Sequence, residues 1–403
     1  MRYLPPTDQH DPPQNRSRRP AVWRRLAVLA LAPVLALCTV SSAGAQGVWV
    51  TLPVKPTAAA KLGAAAADCP RGLEGTCVYA VAGSGAEAKL EAYSPASGTW
   101  TTLPDLLSPA RTSVASTTAD CPDEKPGDCV YAIGGTTGGA NRLNLNEGYS
   151  PRTNAWQSLP AMPTARMNAG AATAPCPKGY GLRGTCVFVT GGDAGTPTTT
   201  VEAYSPETDT WATLPPLQHA RAFHGSAAAA CPSALGLKGV CVYAIGGVDS
   251  TTTALKTAEV YSPATDSWQY LPDLPAPRRG IGAAAAPCPE GVKDGCVYAV
   301  GGLNAAAESV ATQEAYSPAS NTWLTLPSMP TPRSELGVAA GPCSKNTKQR
   351  CVYAVGGFLT SDAEPTNVTE AFAIEYPHSR PKPSSKPKPA PTDDNADDES
   401  EAR

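Results

Sequence analysis

Small and apolar residues follow one another along this chain in a fixed order that is repeated six times. Each repeat contains a run of small residues, such as Ala227–Ala230, and then a short apolar run rich in β-branched and aromatic residues, such as Val242–Ile245. A glycine pair closes most of these apolar runs, and a polar stretch of varying length leads to a segment ending in tyrosine. Short apolar runs bounded by glycine predict β-strands.

Tryptophan marks the period of the repeat. Six tryptophans lie 51 to 57 residues apart, each followed by a Leu-Pro pair: Trp49, Trp100, Trp156, Trp211, Trp268 and Trp323. Each tryptophan begins a fourth predicted strand, and four strands in about 55 residues make one propeller blade. There are six sets of the first three strands, yet the fourth strands begin at Trp49, ahead of the first set. The N-terminal strand is therefore predicted to complete the sixth blade and close the ring.

The small-residue runs have a predicted place in this ring. Alanine is a poor strand former, so runs such as Gly63–Ala67 and Ala283–Ala286 need a tertiary explanation. The innermost strand of a blade provides one, because six such strands crowd around a narrow axis. The sequence thus indicates an all-β, six-bladed β-propeller with alanine-rich first strands.

The repeat resembles the kelch repeat in its glycine pair, its tyrosine and its tryptophan seven residues beyond the tyrosine. Glycine pairs of this kind stand at Gly134-Gly135, Gly191-Gly192, Gly246-Gly247, Gly301-Gly302 and Gly356-Gly357. The resemblance covers roughly residues 46–376 and implies a kelch-type β-propeller, distantly similar to the central domain of galactose oxidase. In the first unit Ala82 replaces the first glycine, and in every unit whose third strand contains the tyrosine, serine replaces the aspartate of the usual Tyr-Asp-Pro.

Composition and the two ends of the chain set the domain boundaries. The 403 residues include 42 prolines and 36 glycines, which argues against long helices. Residues 1–45 read as a secretory signal peptide, with six arginines, the apolar stretch Leu26–Val40 and small residues up to Ala45. Residues 377–403 are a Pro/Lys stretch followed by an acidic one, and they predict a disordered tail. The propeller is assigned to residues 46–376.

The leader predicts an exported chain that has no stable membrane insertion after signal removal. Its apolar run is shorter than the about 20 residues a membrane anchor needs, and it contains Pro33. A lipoprotein site at Cys38 is disfavoured by the bulky Leu37 before it. The pair Arg18-Arg19 leaves general secretion and twin-arginine export as alternatives. The expected location is secreted or extracellular, with cell-surface association as a further option.

Twelve cysteines fall into six local pairs, each bracketing the turn between the first and second strands of a blade. The pairs are Cys69 with Cys77, Cys121 with Cys129, Cys176 with Cys186, Cys231 with Cys241, Cys288 with Cys296, and Cys343 with Cys351. In an exported protein this pattern predicts six disulfides. Zinc is the rival interpretation, but it needs four converging ligands, which pairs in separate blades without a periodic histidine do not provide. No metal and no other cofactor are predicted.

Charge narrows the class of partner. The predicted propeller contains 21 Lys and Arg against 27 Asp and Glu, a net charge of about −6. Nucleic-acid binding requires a basic face, and the sequence has none. The expected partner is an extracellular protein or a glycan, and the chain is expected to be a monomer.

Two sets of charged residues recur with the repeat. Arginines stand near the start of the first strand at Arg111, Arg166, Arg221, Arg278 and Arg333. Glutamates stand in the third strand at Glu91, Glu147, Glu202, Glu259, Glu314 and Glu370. Residues present in every unit are explained by the blade itself, so structural pairing between the two sets is the first interpretation. A cationic ring for an anionic glycan is the alternative.

One aligned position differs in every unit and is therefore the candidate ligand-binding position. It lies two residues beyond the recurring arginine and contains Lys61, Ser113, Asn168, Phe223, Gly280 and Glu335, with Ser113 aligned after a one-residue insertion. His224 is added as a candidate because His219 and His224 are the only histidines of the predicted propeller. Neutral drift at an exposed opening would also produce six different residues.

No catalytic constellation is recognisable, so no catalytic residue is assigned. A copper-radical oxidase like galactose oxidase needs an unpaired cysteine and converging histidines, and here every propeller cysteine has a partner. The sialidase Asp-box is not matched, because Ser94–Trp100 lacks its aspartate. A sugar mutarotase or isomerase remains an alternative, with Glu335 and Arg333 as acid/base and anion-binding groups. The leading hypothesis is a secreted, non-catalytic propeller that binds a protein or glycan.

Overall fold

The computed structural model confirms the all-β, six-bladed propeller. It describes residues 47–375 except 123, 290–294, 346–347 and 361–363, with backbone alone for 124–126. In these ranges twenty-four strands form six four-stranded antiparallel sheets. The predicted signal peptide at 1–45 and the predicted tail at 377–403 lie outside the described residues. Within the described ranges, no helix is long and apolar enough to cross a membrane.

Blades 1 to 5 each use four consecutive strands, numbered here from the axis outwards. Blade 1 contains β2 (Gly63–Asp68), β3 (Thr76–Val81), β4 (Leu90–Ser94) and β5 (Thr99–Leu103). Blade 2 contains β6 (Ala115–Cys121), β7 (Glu124–Ile133), β8 (Asn146–Ser150) and β9 (Ala155–Leu159). Blade 3 contains β10 (Gly170–Pro175), β11 (Thr185–Thr190), β12 (Val201–Ser205) and β13 (Thr210–Leu214).

The second half of the ring repeats this order. Blade 4 contains β14 (Gly225–Ala230), β15 (Val240–Ile245), β16 (Ala258–Ser262) and β17 (Ser267–Leu271), with a short 3₁₀ helix at Ser233–Leu235. Blade 5 contains β18 (Gly282–Ala286), β19 (Cys296–Val300), β20 (Gln313–Ser317) and β21 (Thr322–Leu326). Blade 6 combines β22 (Gly337–Pro342), β23 (Arg350–Val355) and β24 (Thr369–Ile374) with β1 (Gly47–Thr51).

Closure of the ring by the N-terminal strand is confirmed. Strand β1 pairs antiparallel with β24, and Trp49 lies opposite Phe372. The Trp49 indole Nε1 donates a hydrogen bond of 2.8 Å to the carbonyl oxygen of Pro327, which follows the outer strand of blade 5. The two ends of the propeller are thus joined both by a sheet and by a contact between blades.

The innermost strands consist of small residues because the space around the propeller axis leaves no room for larger side chains. A Cβ atom added to Gly63 would lie 2.4 Å from the Cβ of Ser116 in blade 2. A Cβ atom added to Gly282 would lie 2.2 Å from Val338 Cγ2 in blade 6. Both distances are far below van der Waals contact, which gives the predicted crowding around the axis a direct measure.

Aromatic side chains fill the space between blades. At each interface a tyrosine or phenylalanine of one blade packs on an aromatic ring of the next blade, as Tyr243 does on Tyr316 at 5.8 Å. That second ring packs in turn on the tryptophan of its own blade, as Tyr316 does on Trp323 at 5.4 Å. Each tryptophan Nε1 donates to a proline carbonyl oxygen of the preceding blade, and these pairs are Trp100–Pro53, Trp156–Pro104, Trp211–Pro160, Trp268–Pro215 and Trp323–Pro272.

The recurring arginines and glutamates form buried ion pairs within each blade, which confirms the structural interpretation of both sets. In blade 1 the arginine position holds Ala59, and Lys55, four residues earlier, pairs with the glutamate instead. The pairs are Lys55–Glu91, Arg111–Glu147, Arg166–Glu202, Arg221–Glu259, Arg278–Glu314 and Arg333–Glu370. All the side chains involved are at most 6 % exposed. Each pair ties the segment before the first strand to the third strand of the same blade.

All six predicted disulfides are confirmed, and each links the ends of the hairpin between first and second strands. The bonded pairs are Cys69 with Cys77, Cys121 with Cys129, Cys176 with Cys186, Cys231 with Cys241, Cys288 with Cys296, and Cys343 with Cys351. The partners are 8 or 10 residues apart in sequence, so each disulfide closes a short loop and contributes roughly 2–3 kcal/mol in the chain-entropy description.

The disulfides also distinguish the two faces of the disc. Because strands alternate in direction, the disulfide-closed hairpins share one face, named the disulfide face. The segments that enter the first strands share the opposite face, named the mouth face. The disulfides therefore brace the side of the propeller that lies away from the candidate ligand-binding positions.

Candidate functional site

The six aligned candidate positions meet around the propeller axis on the mouth face and share one backbone conformation. All six residues have a φ between 51° and 62°, in the left-handed region: Lys61, Ser113, Asn168, Phe223, Gly280 and Glu335. We call this set the axial ring. Each member lies two residues before the first strand of its blade.

A closed circle of backbone hydrogen bonds holds the axial ring in place. The amide N–H of each member donates to the carbonyl oxygen of the member in the preceding blade, and Lys61 of blade 1 donates to Glu335 of blade 6. The six N–O distances are between 2.7 and 3.1 Å. Every blade therefore contributes one donor and one acceptor to the circle, and the left-handed conformation orients both groups along it.

The side chains of the axial ring are retained at a conformational cost. The left-handed region costs roughly 1–2 kcal/mol for residues other than glycine, asparagine or aspartate. Gly280 shows that glycine fits the circle, and Asn168 tolerates it, whereas Lys61, Phe223 and Glu335 occupy it under strain. Strained residues of this kind collect at functional sites.

Two cavities follow one another along the axis. The first, named the axial mouth, has a volume of about 90 Å³ and is lined by the axial ring and the residues that follow each ring member. The second, named the axial channel, has a volume of about 380 Å³ and is lined by the first strands of all six blades. Only alanine, serine, threonine and valine line the channel. Ionisable side chains of the axis are therefore concentrated at the mouth.

Glu335 is the carboxyl group of the mouth, and it is unpaired. Its side chain forms no hydrogen bond or ion pair in the described part of the chain, and its Oε2 atom is shielded from solvent. Burial raises the pKa of Glu335, while the positive charges of Lys61 and Arg279 oppose that rise. The side chain leans over Gly280, where an added Cβ would lie 3.0 Å from Glu335 Cγ.

Lys61 does not neutralise Glu335 by direct contact, although the two are neighbours in the hydrogen-bond circle. Its ammonium nitrogen lies over the ring of Phe358, 5.8 Å from the ring centroid, in a cation–π contact with the post-glycine loop of blade 6. The mouth thus contains a lysine held by an aromatic ring and a glutamate without a partner.

His224 lines the mouth, but its imidazole is buried between blades 3 and 4. Its Nε2 atom lies 2.9 Å from Thr190 Oγ1, and a Cβ on Gly191 would lie 3.0 Å from its Cε1. Burial, with smaller effects of Arg221 and Arg166, lowers the pKa of His224 to about 3. The equivalent residues of the other blades are apolar, namely Leu62, Val114, Ala169, Ile281 and Leu336.

The buried histidine predicts a loss of stability in acid. The pKa of His224 is about 3 in the folded protein against 6.5 when it is free, so the unfolded chain binds the extra proton between these values. The free energy of unfolding should therefore fall as the pH drops below about 6.5, by on the order of 2 kcal/mol at pH 5 from this group. The double variant His224→Leu/Thr190→Val should lack that component, which urea unfolding at pH 7 and pH 5 measures.

This variant has a template in the chain itself. Leu336 of blade 6 and Val300 of blade 5 occupy the same two positions and pack in one apolar cluster. Other groups that titrate in this range are common to both proteins, so the difference between their pH profiles isolates the histidine. Equal pH dependence of the two proteins would contradict the expectation.

The recurring arginines do not line the mouth. Arg333, two residues before Glu335, is fully buried and donates to Glu370 Oε2 and to the carbonyl oxygens of Gly356 and Val368. Its guanidinium is therefore committed to the blade. In the described part of the chain, no group of three or more His, Cys, Asp or Glu side chains is arranged to hold a metal ion.

Sequence comparison within the chain located the axial ring, but it missed the backbone circle and the two residues that decide the charge of the mouth. Arg279, beside Gly280, acts on Glu335 electrostatically, and Phe358 holds Lys61. Glycine at 280 and asparagine at 168 were the available signals for a left-handed backbone at this position.

Comparison with known proteins agrees with this architecture. The family model described as Kelch motif matches four segments of the chain, at residues 126–163, 175–218, 234–275 and 291–330. Each segment runs from the second strand region of one blade towards the entry to the next. With six such units in one closed ring, the chain belongs to the kelch-repeat β-propeller family.

Similar curated proteins include several kelch-like proteins. Kelch-like protein terF of Aspergillus terreus is 27 % identical over 68 % of this chain and 56 % of its own length. Kelch-like protein 35 of Mus musculus is 27 % identical over 50 % of this chain and 30 % of its own. Kelch-like ECH-associated protein 1B of Danio rerio is 31 % identical over 29 % of this chain and 18 % of its own. The chain thus spans less than two thirds of each of these relatives.

A solved structure, that of YjhT, shares the fold. It superposes with a TM-score of 0.56 over 79 % of this chain and 95 % of its own, at 14 % sequence identity. At this level of identity the likeness concerns the fold alone.

Proposed function

We propose that this chain is an exported, non-catalytic binding module whose mouth face recognises a protein partner. The observation that carries the proposal is the axial ring, in which a closed backbone circle holds six different residues at one strained backbone position. Identical scaffolding with variable side chains is the arrangement expected of a recognition surface, since function tends to reside in loops carried by a rigid scaffold. Kelch repeats typically mediate protein–protein interaction, which supports a protein as the partner.

The disulfides support the exported location in this proposal. Six disulfides in one domain are typical of proteins that fold in an oxidising compartment. They stiffen the face opposite the mouth, so the mouth face is carried by a braced disc. Binding then requires little ordering of the backbone, which reduces the entropic cost of association.

The chemistry of the axis argues against the carbohydrate-active alternative. Sites for small molecules usually enclose about 300–1,000 Å³ with a few convergent polar groups. The axial mouth, at about 90 Å³, is smaller. The axial channel is large enough but is lined by alanine, serine, threonine and valine, so it offers no acid or base. Arg333, which a sugar isomerase would need beside Glu335, is bonded to Glu370.

The proposal predicts that binding depends on the mouth and not on the opposite face. The purified chain is applied to an array of extracellular proteins and glycans, and its interactions are measured again with Lys61→Ala/Phe223→Ala/Glu335→Ala. The few residues that dominate an interface cluster near its centre and cost about 2 kcal/mol or more each when truncated, so affinity for a protein partner should fall by at least about tenfold.

A triple variant on the disulfide face serves as the matched control. Arg71, Lys178 and Lys238 are exposed residues inside the disulfide-closed hairpins, and Arg71→Ala/Lys178→Ala/Lys238→Ala should bind as the unaltered chain does. Binding that is lost with this control and retained by the mouth variant would place recognition on the other face. Binding to glycans alone, or turnover of a sugar, would favour the carbohydrate-active alternative.

A further inference from the structure

The blade 5 side of the mouth differs from the rest because its ring member has no side chain. Gly280 stands between Phe223 of blade 4 and Glu335 of blade 6, and its backbone joins the circle to both neighbours. Phe223 and Glu335 both line the axial mouth on either side of Gly280, and the Glu335 side chain lies over Gly280 itself. Ile281, the next residue, lines the same cavity.

The carboxyl group of Glu335, beside Gly280, lacks a partner. The Glu335 side chain has neither a hydrogen bond nor an ion pair within the described ranges, and its Oε2 atom is shielded from solvent. The glutamates that recur with the blade are, by contrast, each matched by an arginine or lysine, as Glu314 is by Arg278 and Glu370 by Arg333. An unpaired, desolvated carboxylate costs free energy that a hydrogen-bond donor from outside would recover.

Size restricts what can enter. A cavity of about 90 Å³ has room for about three water molecules at their share of liquid volume. That room suits the end of one side chain rather than a sugar ring or a helix. An aromatic wall beside a carboxylate suits a cation in particular, since a guanidinium group stacks on an aromatic ring and pairs with a carboxylate.

We propose that the axial mouth, between Phe223 and Glu335, receives one basic side chain of the protein partner, with arginine preferred over lysine. The inference rests on the proposed function and specifies its chemistry. The inserted cation donates to the Glu335 carboxylate, and its stem packs against Phe223 and Ile281. The negative charge of the chain outside its predicted leader and tail favours a basic partner in the same sense.

Two cations of the chain itself face Glu335 and limit the strength of this contact. Arg279 and Lys61 both act on its carboxyl group electrostatically. Lys61 is turned to Phe358, so its ammonium group lies over that ring rather than against the carboxyl group. The contact should accordingly be weak in isolation and serve selection within a larger interface.

The test uses small probes on the whole chain. Binding of Nα-acetyl-arginine amide, Nα-acetyl-lysine amide and Nα-acetyl-citrulline amide is measured by ligand-observed NMR, since citrulline has the shape of arginine without its charge. We expect the arginine probe to bind with a Kd on the order of millimolar, and the citrulline probe at least about tenfold more weakly. Glu335→Gln should weaken arginine binding by a similar factor. Gly280→Ala should also weaken it, because the added Cβ would lie 3.0 Å from Glu335 Cγ and displace the carboxyl group.

The matched control is Glu308→Gln, which removes the charge of an exposed glutamate on the post-glycine loop of blade 5 that is bonded to Asn304. Arginine binding should be unchanged in this variant. Equal binding of arginine and citrulline, stronger binding of a methyl glycoside, or no saturable binding of any probe would overturn the inference. If partners on the protein array still depend on Lys61 and Phe223 but not on Glu335, the inference fails while the proposed function stands.

Discussion

Replacing Glu259 with glutamine is expected to destabilise the propeller by about 3–5 kcal/mol, because it leaves the buried guanidinium of Arg221 without its counter-charge. The Arg221 Nη2 and Glu259 Oε1 atoms are 2.5 Å apart, and neither side chain is exposed. Burial already lowers the pKa of Arg221, and the charge of Glu259 opposes that effect. Urea unfolding at pH 7 with the disulfides intact measures the loss.

The position of this pair explains why the expected cost is large. Glu259 also accepts hydrogen bonds from the backbone N–H groups of Gln218 and His219, so it anchors the segment that leads to the axial ring. Arg221 donates to the carbonyl oxygens of Gly246 and Thr257 in the same blade. A neutral amide at 259 retains the shape of the side chain but loses its charge. The pair then no longer holds the segment before the axial ring, Gly246 and Thr257 together through a buried charge.

An exposed ion pair in the same blade is the control. Lys256 and Asp273 are 3.1 Å apart and 60 % and 44 % exposed. Solvent screens such a pair, so Asp273→Asn should change the free energy of unfolding by less than about 1 kcal/mol. If the two substitutions lower the free energy of unfolding equally, burial does not explain the contribution of the Arg221–Glu259 pair to stability.

The ion pairs also show how much of the structure can be predicted from the sequence. In five of the six units an arginine stands two residues before the axial-ring member, and a glutamate stands two residues before the aromatic residue of the third strand. That regularity alone predicts pairing between them. The regularity ends in blade 1, where Ala59 stands at the arginine position and Lys55, four residues earlier, pairs with Glu91. Lysine at 55 has no counterpart of the same residue type in the other units, so its role becomes visible only when the chain is folded.

The axial ring shows more clearly which features the sequence does not predict. Alignment of the six units identifies its members, because they vary at a position that follows a recurring residue at a fixed distance. Their left-handed backbone is not readable in the same way, since Lys61, Phe223 and Glu335 are residue types that avoid it. The circle of hydrogen bonds forms only when the ring closes, because each member donates to the carbonyl oxygen of the member in the preceding blade. The sequence of a single unit therefore does not indicate it.

The charge state of the mouth depends on contacts between distant loops. Glu335 is unpaired because the ammonium group of Lys61 lies over Phe358 rather than beside the carboxyl group. Phe358 follows the glycine pair of blade 6, in a stretch whose length and composition vary from unit to unit. Such loop contacts follow no period, so the repeat that predicts the fold gives no information about them.

Closure of the ring leads to the other large effect expected, that of Trp49→Ala. Trp49 packs on Phe372 with ring centroids 5.6 Å apart and donates its indole N–H to the Pro327 carbonyl oxygen. Truncation of a packed tryptophan costs about 3 kcal/mol or more. The equivalent substitution Trp323→Ala removes the same contacts in blade 5, to Tyr316 at 5.4 Å and to the Pro272 carbonyl oxygen, and should cost a similar amount.

The two variants should differ in whether the outer strand of the affected blade detaches from its neighbour. Strand β21 follows β20 through a tight turn, so β21 remains tethered beside its partner even when its tryptophan is lost. Strand β1 lies more than 300 residues from β24 in sequence and no hairpin holds it beside β24, so it can detach as a free chain end. In Trp49→Ala, hydrogen exchange should therefore rise along all of β1 and β24, whereas in Trp323→Ala it should rise only near the site of substitution.

Detachment of β1 also exposes the edge of β24, whose backbone groups can then pair with another chain. Trp49→Ala should consequently form oligomers in proportion to its concentration, and Trp323→Ala should not, as size-exclusion chromatography at several concentrations would detect. Equal exchange and equal association of the two variants would mean that β1 is held as firmly as a strand with a covalent hairpin. In that case contacts between blades, rather than chain connectivity, would determine the stability of the closure.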